Sequence, residues 1–262
     1  LKKTAKNYPA AQIMAVKQTM TDSRTHPEPE QVLIVVPTYQ ESANIAKLVP
    51  QVFANAGNVH LLVVDDDSPD GTAEIVETLM ASYPSLHILR RQGEPGLGHA
   101  YTAGIREGLE KGFQIIGTMD ADLSHNPGYL PHMLALFETA DVVIGSRYVP
   151  DGGTVNWTIG RILLSWLANK FAAILLQIPA HDITSGYRLY RRNALEWMRT
   201  EDVRSTGYSF LAEVLYRVHL GGARIAEYPI IFHDRVSGVS KLHRREIYLG
   251  ALNLLRLRFS IR

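Results

Sequence analysis

Val32-Leu33-Ile34-Val35-Val36-Pro37-Thr38-Tyr39-Gln40-Glu41 is the stretch on which the fold turns. Its first half is an unbroken apolar, largely β-branched run, the pattern of a strand covered on both faces rather than one half-exposed. Pro37 and the polar residues after it end the strand. Ile45, Leu48, Val49, Val52 and Phe53 then recur at helical spacing, which predicts a helix laid back along the strand.

Working outward, the same cycle returns. A strand is predicted at His60–Val64, followed by polar Asp65–Asp70 and a helix from Gly71 to about Met80. A short strand at Leu86–Leu89 leads into the glycine-rich Gly93–Gly98 and a helix to about Lys111. Gln114–Met119 runs into Asp120-Ala121-Asp122, and a helix from Pro127 precedes a strand at Val142–Gly145. Continuous apolar strands alternating with helices predict an α/β fold, a mostly parallel sheet with helices on both faces. Such sheets bind ligands beyond the carboxyl ends of their strands, where this chain concentrates its carboxylates. After Gly145 the alternation loosens. An apolar helix is expected at about 159–178, a strand-like stretch at Ile183–Tyr190 and a helix near 207–219. A strand at Ile225–Phe232 and a final basic amphipathic helix from about 243 complete the pattern. Residues 1–30, ending in Pro27-Glu28-Pro29-Glu30, read as a flexible tail, and 31–262 as one domain.

The 262 residues are ample for a packed core, and 46% hydrophobic with 20% charged residues excludes wholesale disorder. With no Cys, thiolate-ligated metals, disulfide scaffolds and thiol nucleophiles are excluded. The net charge of +1 argues against a nucleic-acid partner. That average hides an asymmetry: residues 235–262 carry +6, which leaves −5 on the rest.

Two nucleotide-binding templates fail. Gly96-Leu97-Gly98-His99-Ala100-Tyr101 ends in Tyr and follows the third strand, so it reads as the first turn of a helix, and no phosphate loop with Gly-Lys-Ser/Thr occurs. Asp120-Ala121-Asp122 is the stronger signal, because two carboxylates leaving a strand together suit one hard divalent cation with substrate phosphates completing its shell. In Asp65-Asp66-Asp67-Ser68-Pro69-Asp70-Gly71-Thr72, helix capping accounts for the second half. It leaves the doublet after the strand unexplained, and Asp66 is the functional candidate there.

Those segments, with Gly145-Ser146-Arg147-Tyr148, Asp182-Ile183-Thr184-Ser185-Gly186-Tyr187-Arg188 and the run from Asp234-Arg235 to Gly238-Val239-Ser240-Lys241, resemble the family 2 glycosyltransferases of GT-A fold. Within that family they are similar to the dolichol- or polyprenol-phosphate mannose synthases, over roughly residues 31–262. Gln40 and Asp67 depart from the family pattern, where Asn and Gly or Asn are usual.

The resemblance implies that Pro37, Tyr39, Glu41, Val64 and Asp66 hold the base and ribose of a nucleotide sugar. It implies that Asp120, Ala121 and Asp122 meet the diphosphate and a divalent cation, Mg²⁺ or Mn²⁺, with Asp120 and Asp122 as metal ligands. Ser124 stands where some relatives supply a further ligand. Arg147, Arg235 and Lys241 would bind phosphates, with Asp122 and Arg147 central to catalysis. Asp182 would touch the sugar or order the segment after it. Residues 31–145 would form the nucleotide-sugar half and 146–262 the acceptor and membrane-interface half. The implied reaction is inverting transfer of mannose from GDP-mannose to a polyprenyl (dolichyl) monophosphate. Two other readings stay open: a sister enzyme using UDP-glucose or another donor on the same lipid, and a catalytically silent nucleotide-binding module at a membrane surface.

A lipid acceptor brings a membrane surface in as partner, which implies peripheral attachment on the cytosolic face or a separate membrane-anchoring subunit. No stretch reads as a spanning helix: the most apolar, residues 162–178, is 17 residues long and contains Asn169 and Lys170. Arg161, Ser165 and Asn169 share one narrow stripe of that helix, so it is expected to lie in the interface with the stripe toward water or protein. The final helix mixes Ile247, Leu249, Leu252, Leu254 and Leu255 with Arg244, Arg245, Arg256, Arg258 and Arg262, which suits anionic headgroups.

Overall fold

A computed structural model describes residues 31–198, 208–234 and 244–260. The tail before Gln31 and the segment bearing Arg235 and Lys241 lie outside the described residues.

The opening apolar run is strand β1 (Val32–Thr38), buried along nearly its whole length. It pairs in parallel with β2 (Val59–Asp65) on one side and β4 (Ile115–Thr118) on the other. With β3 (Leu86–Arg90), β5 (Val142–Ser146), β7 (Arg188–Arg191) and β8 (Ile225–Pro229) they form a seven-stranded sheet in the order β3-β2-β1-β4-β7-β5-β8. Side chains alternate across it and build two cores. Leu33, Val35 and Val64 pack on one face against Tyr101, Ile105 and Leu215, while Val32, Ile34 and Val36 pack on the other against Ile45, Leu48 and Val52.

The helices divide accordingly. α1 (Ser42–Asn55), α2 (Thr72–Met80) and α4 (Leu130–Ala135) cover the second face. α3 (Leu97–Glu110), α5 (Ile159–Leu176), α6 (Arg192–Met198), α7 (Tyr208–Leu220) and α8 (Arg244–Ser260) gather on the first. Helix α3 sits unusually close to the sheet because Gly104 faces it: a Cβ there would lie 2.3 Å from Val35 Cγ1.

Two expectations are corrected. The strand-like stretch Ile183–Tyr190 becomes a strand only from Arg188, and that strand, β7, runs antiparallel to both β4 and β5. Side chains rather than a ladder satisfy the backbone before it: Thr184 N–H donates to Asn169 Oδ1 at 3.0 Å and Tyr187 N–H to Ser185 Oγ at 3.3 Å. The strand expected over Ile225–Phe232 is two strands in two sheets. At Ile230 its N–H still bonds Ser146 O (3.0 Å) while its C=O accepts from Gly153 N–H (3.0 Å), and β9 (Ile231–His233) goes on to pair with β6 (Gly153–Val155).

Helix α5 carries the polar stripe expected from the sequence. It is 18 residues long with a mean hydropathy of 1.5, which makes it a candidate by length and composition alone and no clear membrane span. Its polar stripe faces the protein. Asn169 is 1% exposed, whereas Ile159, Leu163, Leu167 and Ile174 are at least half exposed. α5 is an inverted amphipathic helix, apolar side outward.

Candidate active site

The carboxyl ends of β1, β2, β4 and β5 meet at one rim of the sheet, and antiparallel β7 begins at that same rim. Every strand-end motif therefore converges there. The turns are tight: Gln40, Asp67 and Leu123 all have φ near +60°. For Leu123 that conformation costs on the order of 1 kcal/mol, retained directly after the Asp120-Ala121-Asp122 turn.

The Asp65–Asp67 run divides by role. Asp65 is turned inward and 1% exposed; it accepts from Thr38 Oγ1 at 2.8 Å, Ser68 N–H at 2.9 Å and Ser68 Oγ at 2.6 Å, so it ties β1 to β2. Asp66 faces the β3–α3 connection, ion-paired with Arg91 and accepting Gly96 N–H at 2.8 Å. Asp70 caps α2 through Thr72 and also accepts Ser42 N–H, and these hydrogen bonds lower its pKa although burial opposes the shift. Tyr39 is 45% exposed at the rim, with Pro37 and Glu41 half-buried beside it. Val64 and Ala121 are buried in the two cores, so any part they take in binding is limited to their main chains.

Asp120 and Asp122 leave β4 with different surroundings. Asp120 keeps 27% of its side chain exposed, and its Oδ1 accepts the Tyr101 hydroxyl at 2.8 Å. Burial, then the Asp120 charge, pushes the Tyr101 phenol well above its ordinary pKa, which keeps it a proton donor. Asp122 is 5% exposed and its Oδ1 accepts both Ser124 N–H (3.1 Å) and Ser124 Oγ (2.5 Å). Ser124 thus orients Asp122. His125 is buried and accepts the Asp120 N–H on Nδ1 at 3.0 Å, which fixes the neutral tautomer with the proton on Nε2. Burial lowers its pKa, outweighing the pull of Asp120 and Asp122. Its ring stacks on Tyr187, centroids 5.0 Å apart.

Two aspartates and their hydrogen-bonded supports fit a hard divalent cation that draws its remaining oxygens from phosphate and water. Among the described residues no group of three or more His, Cys, Asp or Glu is placed to hold a metal unaided. Room is kept beside them: a Cβ on Gly186 would lie 3.2 Å from Asp120 Oδ1.

Arg147, leaving β5, is held by fully buried Asp182. The Asp182 carboxylate accepts Arg147 N–H at 3.0 Å, Nε–H at 2.7 Å and Nη2–H at 2.7 Å, and Nη2 also reaches Thr184 Oγ1 at 2.9 Å. Burial alone would raise the Asp182 pKa; the Arg147 charge and its hydrogen bonds together hold it below the ordinary carboxylate value. Tyr148, Trp157 and Phe232 surround the guanidinium with ring centroids 5.4 to 5.5 Å from Cζ. Arg188, also fully buried, donates to Ile183 O and Leu211 O and so pins the segment that carries Asp182.

Sequence reasoning missed Arg91, Tyr101 and His125. Tyr101 is the residue that disqualified the dinucleotide template, and its role depends on a partner 19 positions away.

The family model for Glycosyl transferase family 2 matches residues 33–198. The undecaprenyl-phosphate mannosyltransferase of Micrococcus luteus is 40% identical over 225 residues, covering 86% of this chain and 93% of that protein. The polyprenol monophosphomannose synthase of Mycolicibacterium smegmatis is 42% identical over 215 residues, covering 81% of each. Among solved structures, glucosyl-3-phosphoglycerate synthase from Mycobacterium tuberculosis with Mn²⁺, UDP and glucosyl-3-phosphoglycerate superposes with a TM-score of 0.62 at 17% identity, covering 100% of this chain and 88% of that one. Mannosyltransferase PcManGT from Pyrobaculum calidifontis, in complex with GDP-Man and Mn²⁺, gives 0.55 at 18% identity, covering 95% and 69%. Those two structures share the fold, a GT-A α/β architecture. The chain belongs to glycosyltransferase family 2.

Proposed function

We propose that this chain transfers mannose from GDP-mannose to a polyprenyl monophosphate, inverting the anomeric centre. The observation that carries the reading is one rim on which the partly exposed Asp120 and supported Asp122 lie near an arginine fixed by a buried carboxylate. It is strengthened by relatives 40% and 42% identical over most of this chain that are named for joining mannose to a polyprenyl phosphate.

The chemistry suits the residues. A phosphate monoester has its second pKa near ~6, so the acceptor oxygen is anionic at neutral pH and needs no general base. It attacks the anomeric carbon as the bond to the donor diphosphate breaks, and the bonding electrons leave with GDP. Asp120 and Asp122 would hold a divalent cation, Mg²⁺ or Mn²⁺, which when bound neutralises charge on the departing diphosphate. Pro37, Tyr39, Glu41, Asp66 and the main chain of Val64 and Ala121 line the nucleoside and diphosphate side. Arg147 receives the acceptor phosphate, and Arg235 and Lys241 supply further positive charge from outside the described residues. His125 stays neutral with Nδ1 occupied, so its part is to hold the Asp120 turn.

The apolar outer surface of α5 meets the membrane that holds the acceptor. At ~1.5 Å per residue its length is close to a hydrocarbon thickness, but its buried polar stripe docks it along the domain, so the helix lies in the interface. Attachment is peripheral on the cytosolic face.

The deciding assay incubates the full chain with a short polyprenyl phosphate, Mg²⁺ or Mn²⁺, and either GDP-mannose or UDP-glucose. Lipid-linked mannose from GDP-mannose, lost in Asp122→Asn, is the expected result. Product from UDP-glucose alone would move the donor assignment, and unchanged activity in folded Asp122→Asn would remove the site assignment.

A further inference from the structure

Thr184 Oγ1 sits where two elements meet. It accepts the Arg147 Nη2 proton at 2.9 Å and an Asn169 Nδ2 proton at 3.1 Å, with Asp182 Oδ1 3.5 Å away. Asn169 Oδ1 in turn accepts Thr184 N–H at 3.0 Å, and the second Nδ2 proton goes to Ser165 O at 2.9 Å. Asn169 is the buried polar residue on the inner stripe of α5, 1% exposed beside Ala172 and Leu176. An amide costs free energy to bury unless its hydrogen bonds are met, and here all of them are, two across to Thr184. The apolar helix is therefore registered against the Arg147 guanidinium by a paired hydrogen bond as well as by packing.

We propose that Thr184, held by Asn169, is a positioning residue for Arg147, so that the phosphate-binding guanidinium keeps its orientation only while α5 is docked in this register. The inference rests on the assignment of Arg147 to the acceptor phosphate. Asp182 supplies the opposing charge and two of the contacts, but both of its side-chain bonds lie on the Nε–Nη2 edge of the fork. Thr184 takes the second Nη2 proton, which completes that edge and links the fork to a different element. With the Nε and Nη2 protons so occupied, a phosphate oxygen is met by Nη1, whose direction follows the plane of the guanidinium, so small rotations weaken that contact.

The test is steady-state kinetics on the full chain with GDP-mannose and a short polyprenyl phosphate in detergent, with the KM of each substrate measured separately and the melting temperature recorded. Thr184→Val keeps the shape and removes the acceptor oxygen. It is expected to raise the acceptor KM about tenfold with the donor KM unchanged, the size typical for one hydrogen bond to a charged group. Thr184→Ser is expected to restore it. Asn169→Leu leaves the Thr184 hydroxyl but removes its tether, and a rise of about threefold is expected, again confined to the acceptor. If Thr184→Val folds poorly, Thr184→Ser and Asn169→Leu carry the comparison. An unchanged acceptor KM in folded Thr184→Val, an equal rise in donor and acceptor KM, or failure of Thr184→Ser to restore it overturns the positioning role. Arg147→Ala separates the layers: an acceptor KM unchanged there overturns the assignment of Arg147 itself, whereas a large rise there with none in Thr184→Val overturns this inference alone.

Discussion

Tyr101 donates its hydroxyl to Asp120 Oδ1 at 2.8 Å from a fully buried position on α3, so a helix on one face of the sheet fixes a carboxylate at its rim. The bond leaves Oδ2 as the less committed oxygen and sets the plane of the carboxylate. Tyr101→Phe removes only the hydroxyl, and partners of this kind typically change metal affinity 10- to 100-fold. The half-saturating concentration of Mg²⁺ or Mn²⁺ is expected to rise about tenfold, with GDP-mannose turnover recovering at high metal. Titration of activity against metal concentration checks it, and an unshifted curve would show that the bond does not orient a ligand.

Gly186 is the second control on the same carboxylate. A methyl group there would stand 3.2 Å from Asp120 Oδ1 and 3.6 Å from His125 Cε1, close enough to displace the carboxylate by a few tenths of an ångström. Gly186→Ala is expected to fold, because its contacts are side-chain atoms at the rim, and to lose about tenfold in kcat/KM. Wild-type activity at limiting metal in that variant would contradict the crowding argument.

The outer surface of α5 makes a separable prediction. Leu163, Leu167 and Ile174 are 55%, 50% and 75% exposed, so replacing them with Glu removes little packing. The triple variant is expected to stay within about 1.5 kcal/mol of wild-type stability, at roughly 0.5 kcal/mol per exposed site. It should lose most of its cosedimentation with vesicles containing anionic lipid. Retained sedimentation would move membrane attachment to another part of the chain.

A stability dependence on pH is built in far from the site. His60 and His87 stack between β2 and β3 with Nδ1 and Nε2 3.0 Å apart. Burial, then the neighbouring His60 and Lys111, lowers the His87 pKa below 6.5. A group depressed in this way is neutral in both folded and unfolded chains above pH 6.5, so its environment costs nothing there. As pH falls below 6.5 the unfolded chain takes up the proton first, and stability declines until the folded value is passed. Urea midpoints should therefore drop between pH 7.5 and 5.5, and His87→Gln should flatten the slope. An identical slope in that variant would place the dependence elsewhere.

Legibility in the sequence followed the range of the interactions involved. β1, β2 and β4 were readable because each is a continuous apolar run, and the Asp120–Asp122 pair because it directly follows one. The direction of β7 was not, since its four residues carry no sign of orientation and only pairing with β4 and β5 sets it. The break at Ile230 was equally hidden, because the apolar pattern continues while the hydrogen-bond partners change sheets. Asp66 stood out as a carboxylate after a strand, but Arg91, its partner 25 positions on, looked like any charge at a strand end. The stripe on α5 was visible, and only tertiary structure shows that it faces the protein.

The reversal of β7 also settles how load is carried. The chain leaves the sheet after β5 and re-enters at β7 at adjacent points of one rim, where Gly145 N–H bonds Tyr187 O at 2.8 Å. Between those points the chain is tied back at further places: β6 pairs with β9, Glu227 on β8 accepts His181 N–H at 2.8 Å and Asp182 N–H at 3.0 Å, and Ala172 and Leu176 of α5 pack into the core on the first face. A load applied to α5 is therefore shared among β8, β9 and the core on the first face, and the helix cannot swing away from the sheet without breaking all of them.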